Sequence, residues 1–185
     1  MKPGEVRIIG GAWKRSKLPL PRGVELRPTP DRVRETLFNW LGQDLSGWHC
    51  LDAFAGTGAL GFEAASRGAA SVLLCDSQDL CIEAMAKSQT KLAASQLRLV
   101  RGEALSVLRQ QAPHSLDLVL LDPPYNFPHY PIALSAALAC LKPTGHVYLE
   151  AAKAWTEQDL SALGLRLTRH LKAGAVHAHL LQPAA

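Results

Sequence analysis

Asp122, Pro123, Pro124 and Tyr125 place a carboxylate, two stiff prolines and an aromatic ring in four consecutive residues. Such a group is suited to holding a planar amine. An exocyclic amine on a purine or cytosine is a poor nucleophile, because its lone pair is delocalised into the ring. Two acceptors aimed at its N–H groups pull the nitrogen toward tetrahedral geometry and turn the lone pair toward an incoming electrophile. The Asp122 carboxylate can supply one acceptor. The Pro123 carbonyl can supply the other, held in place because proline fixes φ. Tyr125 offers a ring face on which an extruded base can stack. The amine's proton can leave afterwards, so no strong general base is needed, and proximity and orientation carry much of the rate. The plainer reading, an ordinary proline turn, is weakened by what precedes it. Leu116-Asp117-Leu118-Val119-Leu120-Leu121 reads as a buried parallel strand, and open α/β sheets build their sites at the carboxyl ends of strands.

A second segment, Leu51-Asp52-Ala53-Phe54-Ala55-Gly56-Thr57-Gly58, runs from an apolar strand into glycines. With Gly61 it forms a literal G-x-G-x-x-G, and Asp76 follows Gly56 by 20 residues at the end of the next strand. That pattern fits a dinucleotide site, in which glycines allow close backbone approach and the acid takes ribose hydroxyls. Asp52 argues against it, since a carboxylate beside a pyrophosphate would repel it. The same carboxylate favours a cationic ligand part, such as the α-amino group of S-adenosylmethionine, whose ribose Asp76 can still hold. The expected cofactor contacts are Asp52, Phe54, Ala55, Gly56, Thr57, Gly58 and Asp76, with Glu103 and Ala104 after the following strand. Glu103 could instead cap the next helix, Gly58 and Gly61 could be only a tight turn, and Asp52 and Asp76 could be strand-end caps. Together the two motifs point to methyl transfer onto a nucleobase amine.

These motifs need an alternating scaffold to position them. Apolar strands are predicted at 49–54, 71–76, 97–101, 116–121 and 145–150, with helices between them at about 58–67, 78–93, 104–111 and 131–141. Alternation of this kind predicts a parallel sheet with helices on both faces. Leu165 to Leu171 and Ala175 to Leu181, joined by Lys172-Ala173-Gly174, read as a closing hairpin that sets an antiparallel strand at or near the sheet edge. Before the sheet, Val6-Arg7-Ile8-Ile9 reads as a short strand ended by Gly10-Gly11. A helix follows, with Thr29 as N-cap, Pro30 at its first position, Asp31 at its positive start and Gly42 closing it. Val33, Leu37, Trp40 and Leu41 share its apolar face. The division expected is 1–47, a basic arm or hairpin plus helix covering the cofactor site and meeting RNA, and 48–185, the transferase domain.

At 185 residues and 48% hydrophobic, the chain suits one domain with a real core. No run approaches the ~18 apolar residues of a membrane span, and the N-terminus lacks the apolar region of a secretory signal. Cys50, Cys75, Cys81 and Cys140 form no C-x-x-C pair, which favours buried reduced thiols and a cytoplasmic protein. Residues 1–23 hold six basic residues against Glu5, a balance of +5, while the remaining 14 basic and 15 acidic residues sum to −1. The net charge of +4 therefore belongs to the arm. A basic arm on a near-neutral domain suits a polyanion such as nucleic acid, with Arg7, Lys14, Arg15, Lys17 and Arg22 as its contacts; the plainer alternative is a solvated tail. No metal is expected. His177 and His179 share a strand face but lack a third ligand, and read as exposed or edge-strand histidines. Trp13, Trp40, Trp48 and Trp155 read as packing residues.

These residues resemble the RsmD family of 16S ribosomal RNA guanine-N2 methyltransferases. The likeness covers nearly the whole chain. Its specific parts are Arg7-Ile8-Ile9-Gly10-Gly11 and the stretch Arg27-Pro28-Thr29-Pro30-Asp31-Arg32-Val33-Arg34-Glu35-Thr36-Leu37-Phe38-Asn39-Trp40-Leu41. The glycine loop and the Asp122 tetrad are shared by many amino methyltransferases. The resemblance implies a Rossmann-like class I methyltransferase fold, a seven-stranded, mostly parallel sheet with an antiparallel last strand. It also implies transfer from S-adenosylmethionine to N2 of one guanine in 16S rRNA. An arm and a few loops offer little surface for sequence readout, so the expected partner is 16S rRNA within the small ribosomal subunit or an assembly intermediate, and the expected state is a monomer. Competing readings are an adenine-N6 methyltransferase of DNA or another RNA, a small-molecule amine methyltransferase, a non-catalytic RNA-binding assembly factor and, more distantly, a nicotinamide dehydrogenase. About 47 residues before the sheet leave little room for a DNA target-recognition domain, and no second domain is left for a hydride acceptor.

Overall fold

A computed structural model describes residues 4–26 and 28–184. Lys2 of the basic arm and Arg27 of the first-helix motif lie outside the described residues. The arm is a small antiparallel ribbon in which β1 (Glu5–Arg7) pairs with β2 (Lys17–Pro19). Helix α1 (Asp31–Trp40) follows. Then come β3 (His49–Asp52), α2 (Ala59–Ser66), β4 (Ser71–Asp76), α3 (Asp79–Lys91), β5 (Leu97–Arg101), α4 (Ala104–Arg109), β6 (Leu116–Leu121), α5 (Tyr130–Cys140), β7 (Leu141–Ala151), α6 (Glu157–Ser161), β8 (Leu165–Ala173) and β9 (Val176–Pro183).

The seven-stranded sheet has the order β5-β4-β3-β6-β7-β9-β8. Pairing is parallel from β5 through β7, and β9 runs antiparallel to both β7 and β8. The expected fold class and its antiparallel last strand are therefore borne out, with β9 one place in from the edge that β8 occupies. The order of strand addition reverses between the parallel neighbours β3 and β6, and ligands of open α/β sheets bind outside such a switch point. Asp52 ends β3, and Asp122 immediately follows β6.

Successive residues of the central strands feed opposite faces. Leu118 and Leu120 of β6 join a core with Val33, Leu37 and Phe38 of α1, while Val119 and Leu121 join a second core with Leu134 and Ala137 of α5. Burial on both faces explains the unbroken apolar runs read from the sequence. Strand β7 starts earlier than expected, because Pro143 and Gly145 do not stop it; an irregularity opposite Leu116 to Leu118 absorbs the mismatch. The short α6, held by a Thr156–Asp159 capping box, was not foreseen. All four cysteines are buried and free, as expected. Among the described residues no helix is long and apolar enough to cross a membrane.

The arm is fastened to α2 rather than trailing in solvent. Ile8 and Leu18 are fully buried. The amides of Ile9 and Gly10 donate to the buried Glu63 carboxylate at 3.0 and 2.7 Å, and the Ala12 amide donates to the Ser66 carbonyl at 2.7 Å. Gly11 has φ +72°, and a Cβ there would lie 1.9 Å from the Ser66 carbonyl oxygen. Only glycine fits this approach.

Candidate active site

The loop after β3 is shaped by two carboxylates. One oxygen of Asp52, Oδ2, accepts from the Gly61 amide of α2 at 2.9 Å. Its other oxygen, Oδ1, is buried with no hydrogen-bond partner among the described residues. Burial pushes the Asp52 carboxyl up to about 7, and the nearby Asp76 charge adds to this. Asp76, at the end of β4, accepts from the Gly56 amide through Oδ2 at 2.7 Å and from the Gln78 amide through Oδ1 at 2.8 Å. Gly56 and Gly58 have φ +54° and +79°, the left-handed turn that brings Gly58 to the N-terminus of α2. The Ala55 amide is tied to the Cys75 carbonyl at 2.8 Å, and Thr57 Oγ1 accepts from the Ala59 amide at 3.3 Å. Glu103 precedes α4, but its side chain is exposed and makes no capping bond. Ala104 beside it is buried.

These placements fit a cationic ligand better than a phosphate. A buried, unsatisfied carboxylate oxygen is costly unless a donor reaches it. An ammonium group is such a donor, whereas a pyrophosphate would meet like charge. Strand-end capping is also real here: Asp52 holds an amide in the first turn of α2 and Asp76 holds the Gly56 and Gln78 amides, each with lone pairs to spare.

Across the switch point stands the second motif. Pro123 is buried, while Tyr125 is 67% exposed at the loop tip. The Phe127 amide donates to the Pro124 carbonyl at 2.9 Å, and among the described residues no donor engages the Pro123 carbonyl. Phe54 of the glycine loop packs edge-on against Phe127 with centroids 5.2 Å apart; Phe127 in turn meets Tyr130 at 5.3 Å. This aromatic seam joins the two predicted loops.

Behind Asp122 lies a polar group that the sequence reading did not anticipate. Thr29 Oγ1 lies 3.0 Å from Asp122 Oδ2 and 2.8 Å from Glu150 Oε1, and the Tyr148 hydroxyl donates to the same Glu150 oxygen at 2.7 Å. Burial, then the Glu150 charge, holds the Asp122 carboxyl well above its ordinary range, against the opposing Thr29 contact. Burial also raises Glu150, while its Tyr148 and Thr29 contacts pull it down. Thr29 is therefore not the N-cap of α1. That position falls to Pro30 and has no side-chain cap, because the Thr29 hydroxyl turns to the two carboxyls instead. Glu150 had a legible signal: like Asp52, Asp76 and Asp122, it is an acid near the carboxyl end of a sheet strand. Arg34 had none. Fully buried, it donates to the carbonyls of Thr29 and Arg7 and to Asp31 and Glu63.

The five candidate RNA contacts are exposed on the arm. Arg7 is paired with Asp31 at 3.3 Å and Lys17 with Glu5 at 2.9 Å, whereas Lys14, Arg15 and Arg22 form no ion pair among the described residues. Leu26 reaches the glycine loop, its Cδ2 3.7 Å from where a Cβ on Gly56 would lie. A second correction concerns His179. It is fully buried rather than exposed, because β9 is an interior strand; it accepts from the Trp155 amide, and burial pushes it down to about 4. Among the described residues no metal-binding cluster is present.

A parallel sheet with its switch point between β3 and β6, an antiparallel β9, a glycine loop and an Asp-Pro-Pro-Tyr tetrad define a Rossmann-like class I methyltransferase domain. The solved structure of the Escherichia coli methyltransferase candidate yhhF superposes with a TM-score of 0.84 at 37% identity, over 98% of this chain and 99% of that one. The family model described as conserved hypothetical protein 95 matches residues 6–182, and the chain belongs to this family, the RsmD family. Relatives named ribosomal RNA small subunit methyltransferase D are 47% identical in Escherichia coli K12, over 66% of this chain and 62% of that relative, and 43% identical in Haemophilus influenzae, over 81% and 80%. The chain thus matches less than two thirds of the length of the Escherichia coli relative.

Proposed function

We propose that this protein transfers a methyl group from S-adenosylmethionine to the exocyclic N2 amine of a guanine in 16S rRNA, acting as a monomer on the small ribosomal subunit or an assembly intermediate. The observation that carries the reading is the juxtaposition at one switch point of Asp122-Pro123-Pro124-Tyr125 with the unpartnered Asp52 Oδ1. The relatives' name supports a ribosomal RNA acceptor, and the family resemblance supports guanine N2.

Asp52 would hold the ammonium of the methyl donor, Asp76 its ribose, and Glu103 with Ala104 its adenine edge, while Phe54, Ala55, Gly56, Thr57 and Gly58 shape the bed beneath it. When bound, the donor supplies an electrophilic methyl carbon on sulfur. The Asp122 carboxylate and the free Pro123 carbonyl accept the two N–H groups of the amine, which localises the nitrogen lone pair. The exposed Tyr125 ring stacks the base and excludes water from one face. Once methylated, the amine nitrogen would carry a positive charge, and the Asp122 carboxylate or water would take one of its protons. Two contacts support the arm and first helix as a cover for the site: Leu26 lies against the glycine loop and Thr29 against Asp122. Lys14, Arg15 and Arg22 meet phosphates beyond it.

The test is transfer from radiolabelled S-adenosylmethionine to unmethylated small subunits, protein-free 16S RNA and duplex DNA, followed by nucleoside chromatography. Label in N2-methylguanosine is expected, and Asp122→Ala should abolish it while leaving cofactor binding largely intact. Label in N6-methyladenine would overturn the acceptor. Cofactor binding without any label would favour an idle assembly factor.

A further inference from the structure

The Thr29 hydroxyl carries one hydrogen, yet it stands within hydrogen-bond distance of two carboxyl oxygens, Asp122 Oδ2 and Glu150 Oε1. It can donate to only one of them. If both carboxyls were ionised, the other contact would set lone pair against lone pair. The Tyr148 hydroxyl does not relieve this, because its hydrogen already points to Glu150 Oε1. A single further proton, on one of the two carboxyls, makes every contact a hydrogen bond.

We propose that Asp122 and Glu150 share one proton across the Thr29 hydroxyl, and that Thr29 and Glu150 are thereby positioning residues that set the charge Asp122 presents to the amine. The inference rests on the amine-holding role proposed for Asp122. In one arrangement the Glu150 carboxyl donates to Thr29 and Thr29 donates to an anionic Asp122. In the other, Asp122 donates to Thr29 and Thr29 donates to an anionic Glu150. Interconversion breaks two O–H bonds and forms two, with no proton gained or lost. An amine N–H and a cationic donor both favour the first arrangement.

The surroundings agree. Asp52 faces Asp122 from β3, Tyr148 and Glu150 from β7, and Tyr130 from α5. All are acidic or neutral, and among the described residues no lysine or arginine pairs with either carboxyl. Nothing there would neutralise a second negative charge, and burial raises both carboxyls in the same direction. Thr29 itself is held in place: its carbonyl accepts from Arg34 Nε at 3.2 Å, and Arg34 Nη2 also grips the Arg7 carbonyl at 2.9 Å. Docking of the arm therefore fixes the hydroxyl that links the two acids.

The experiment is a carboxyl-carbon NMR titration of the free protein, with Asp122→Asn, Glu150→Gln and Asp52→Asn used to assign resonances. In the wild type, one proton should persist on the pair well above pH 4, the ordinary carboxylate range. Glu150→Gln removes the like charge, so the Asp122 midpoint should fall by about one pH unit or more. Thr29→Val removes a hydrogen bond that favours the anion, so the midpoint should rise, while Thr29→Ser should stay near the wild type. If Thr29→Val does not fold, Thr29→Ser and Glu150→Gln decide. Two ordinary midpoints near 4 in the wild type, or an Asp122 midpoint unmoved by Glu150→Gln, would overturn the shared proton. With an RNA acceptor in hand, the acid limb of the kcat profile should move in the same two opposite directions. A wild type that titrates as expected but transfers no methyl would sink the functional reading and leave the proton pair standing.

Discussion

Replacing Glu63 with alanine should cost about 3 kcal/mol or more, although Glu63 lies outside both predicted motifs. Its carboxylate is fully buried and accepts five hydrogen bonds: from the Ile9 amide at 3.0 Å, the Gly10 amide at 2.7 Å, Arg34 Nη1 at 3.2 Å, and Arg67 Nε and Nη2 at 3.2 and 2.9 Å. Alanine would leave two buried guanidiniums short of their shared counter-charge. Arg34 would keep Asp31 at 2.6 Å, while Arg67 would keep Gln43 and the face of Phe38, 4.6 Å away. Removing one partner of a buried ion pair costs roughly 3–5 kcal/mol. Water entering the vacated space can satisfy the two freed amides, which places the expectation at the lower end. That loss is a large fraction of the ~5–15 kcal/mol by which a domain is stable. Urea denaturation should show a lower midpoint, and hydrogen exchange at Ile9 and Gly10 should accelerate before global unfolding. Glu63→Gln should lose less, because it keeps the volume and one acceptor. A loss below about 1 kcal/mol, with unchanged exchange at those two amides, would refute the idea that this carboxylate pins the arm.

Asp52 gives a pH-dependent signature. Its carboxyl is raised in the folded state from 3.8 to about 7, so the stability it contributes is full below about pH 4 and is lost as pH rises through 7. Asp52→Asn should remove that part of the decline, at most about 4 kcal/mol, and urea midpoints of the two proteins at pH 5 and pH 8 would measure it; parallel declines would contradict the assignment. Gly11→Ala should undock the arm, because its Cβ would strike the Ser66 carbonyl, whereas Gly174→Ala, at φ +62° with nothing within 4 Å, should cost only about 1 kcal/mol; limited proteolysis of the arm separates the two. Neutralising Lys14, Arg15 and Arg22 together should weaken RNA binding and flatten its dependence on the logarithm of salt concentration by about two to three, and an unchanged slope would make these side chains bystanders.

The first-order plan of this protein is local and was therefore readable in its sequence. Apolar runs such as Leu116 to Leu121 must be buried on both sides, so they announce a parallel sheet wherever they end up. Glycines at 56 and 58 announce a turn that other residues resist. Acids near strand ends announce a site. The parallel sheet, its antiparallel closing strand and the family resemblance all followed that outline, whereas the strand order and the switch point between β3 and β6 came only with the fold. What the sequence could not display is partnership across long separations. Thr29 obeys the local rule for an N-cap, yet its hydroxyl goes to Asp122 and Glu150, 93 and 121 residues away, because two buried carboxyls outbid a helix end that solvent can satisfy. Arg34 and Glu63 lie 29 residues apart with no local pattern that pairs them; they become an internal clasp, with the arm's Gly10 amide on the same carboxylate, only in the folded chain. His179 looks like an edge residue until β9 takes its place between β7 and β8. Residue types fixed which chemistry was available. Only the folded chain decided which acids share a hydroxyl and which charges are buried together, because those energies depend on distance and desolvation, and neither exists in a linear string.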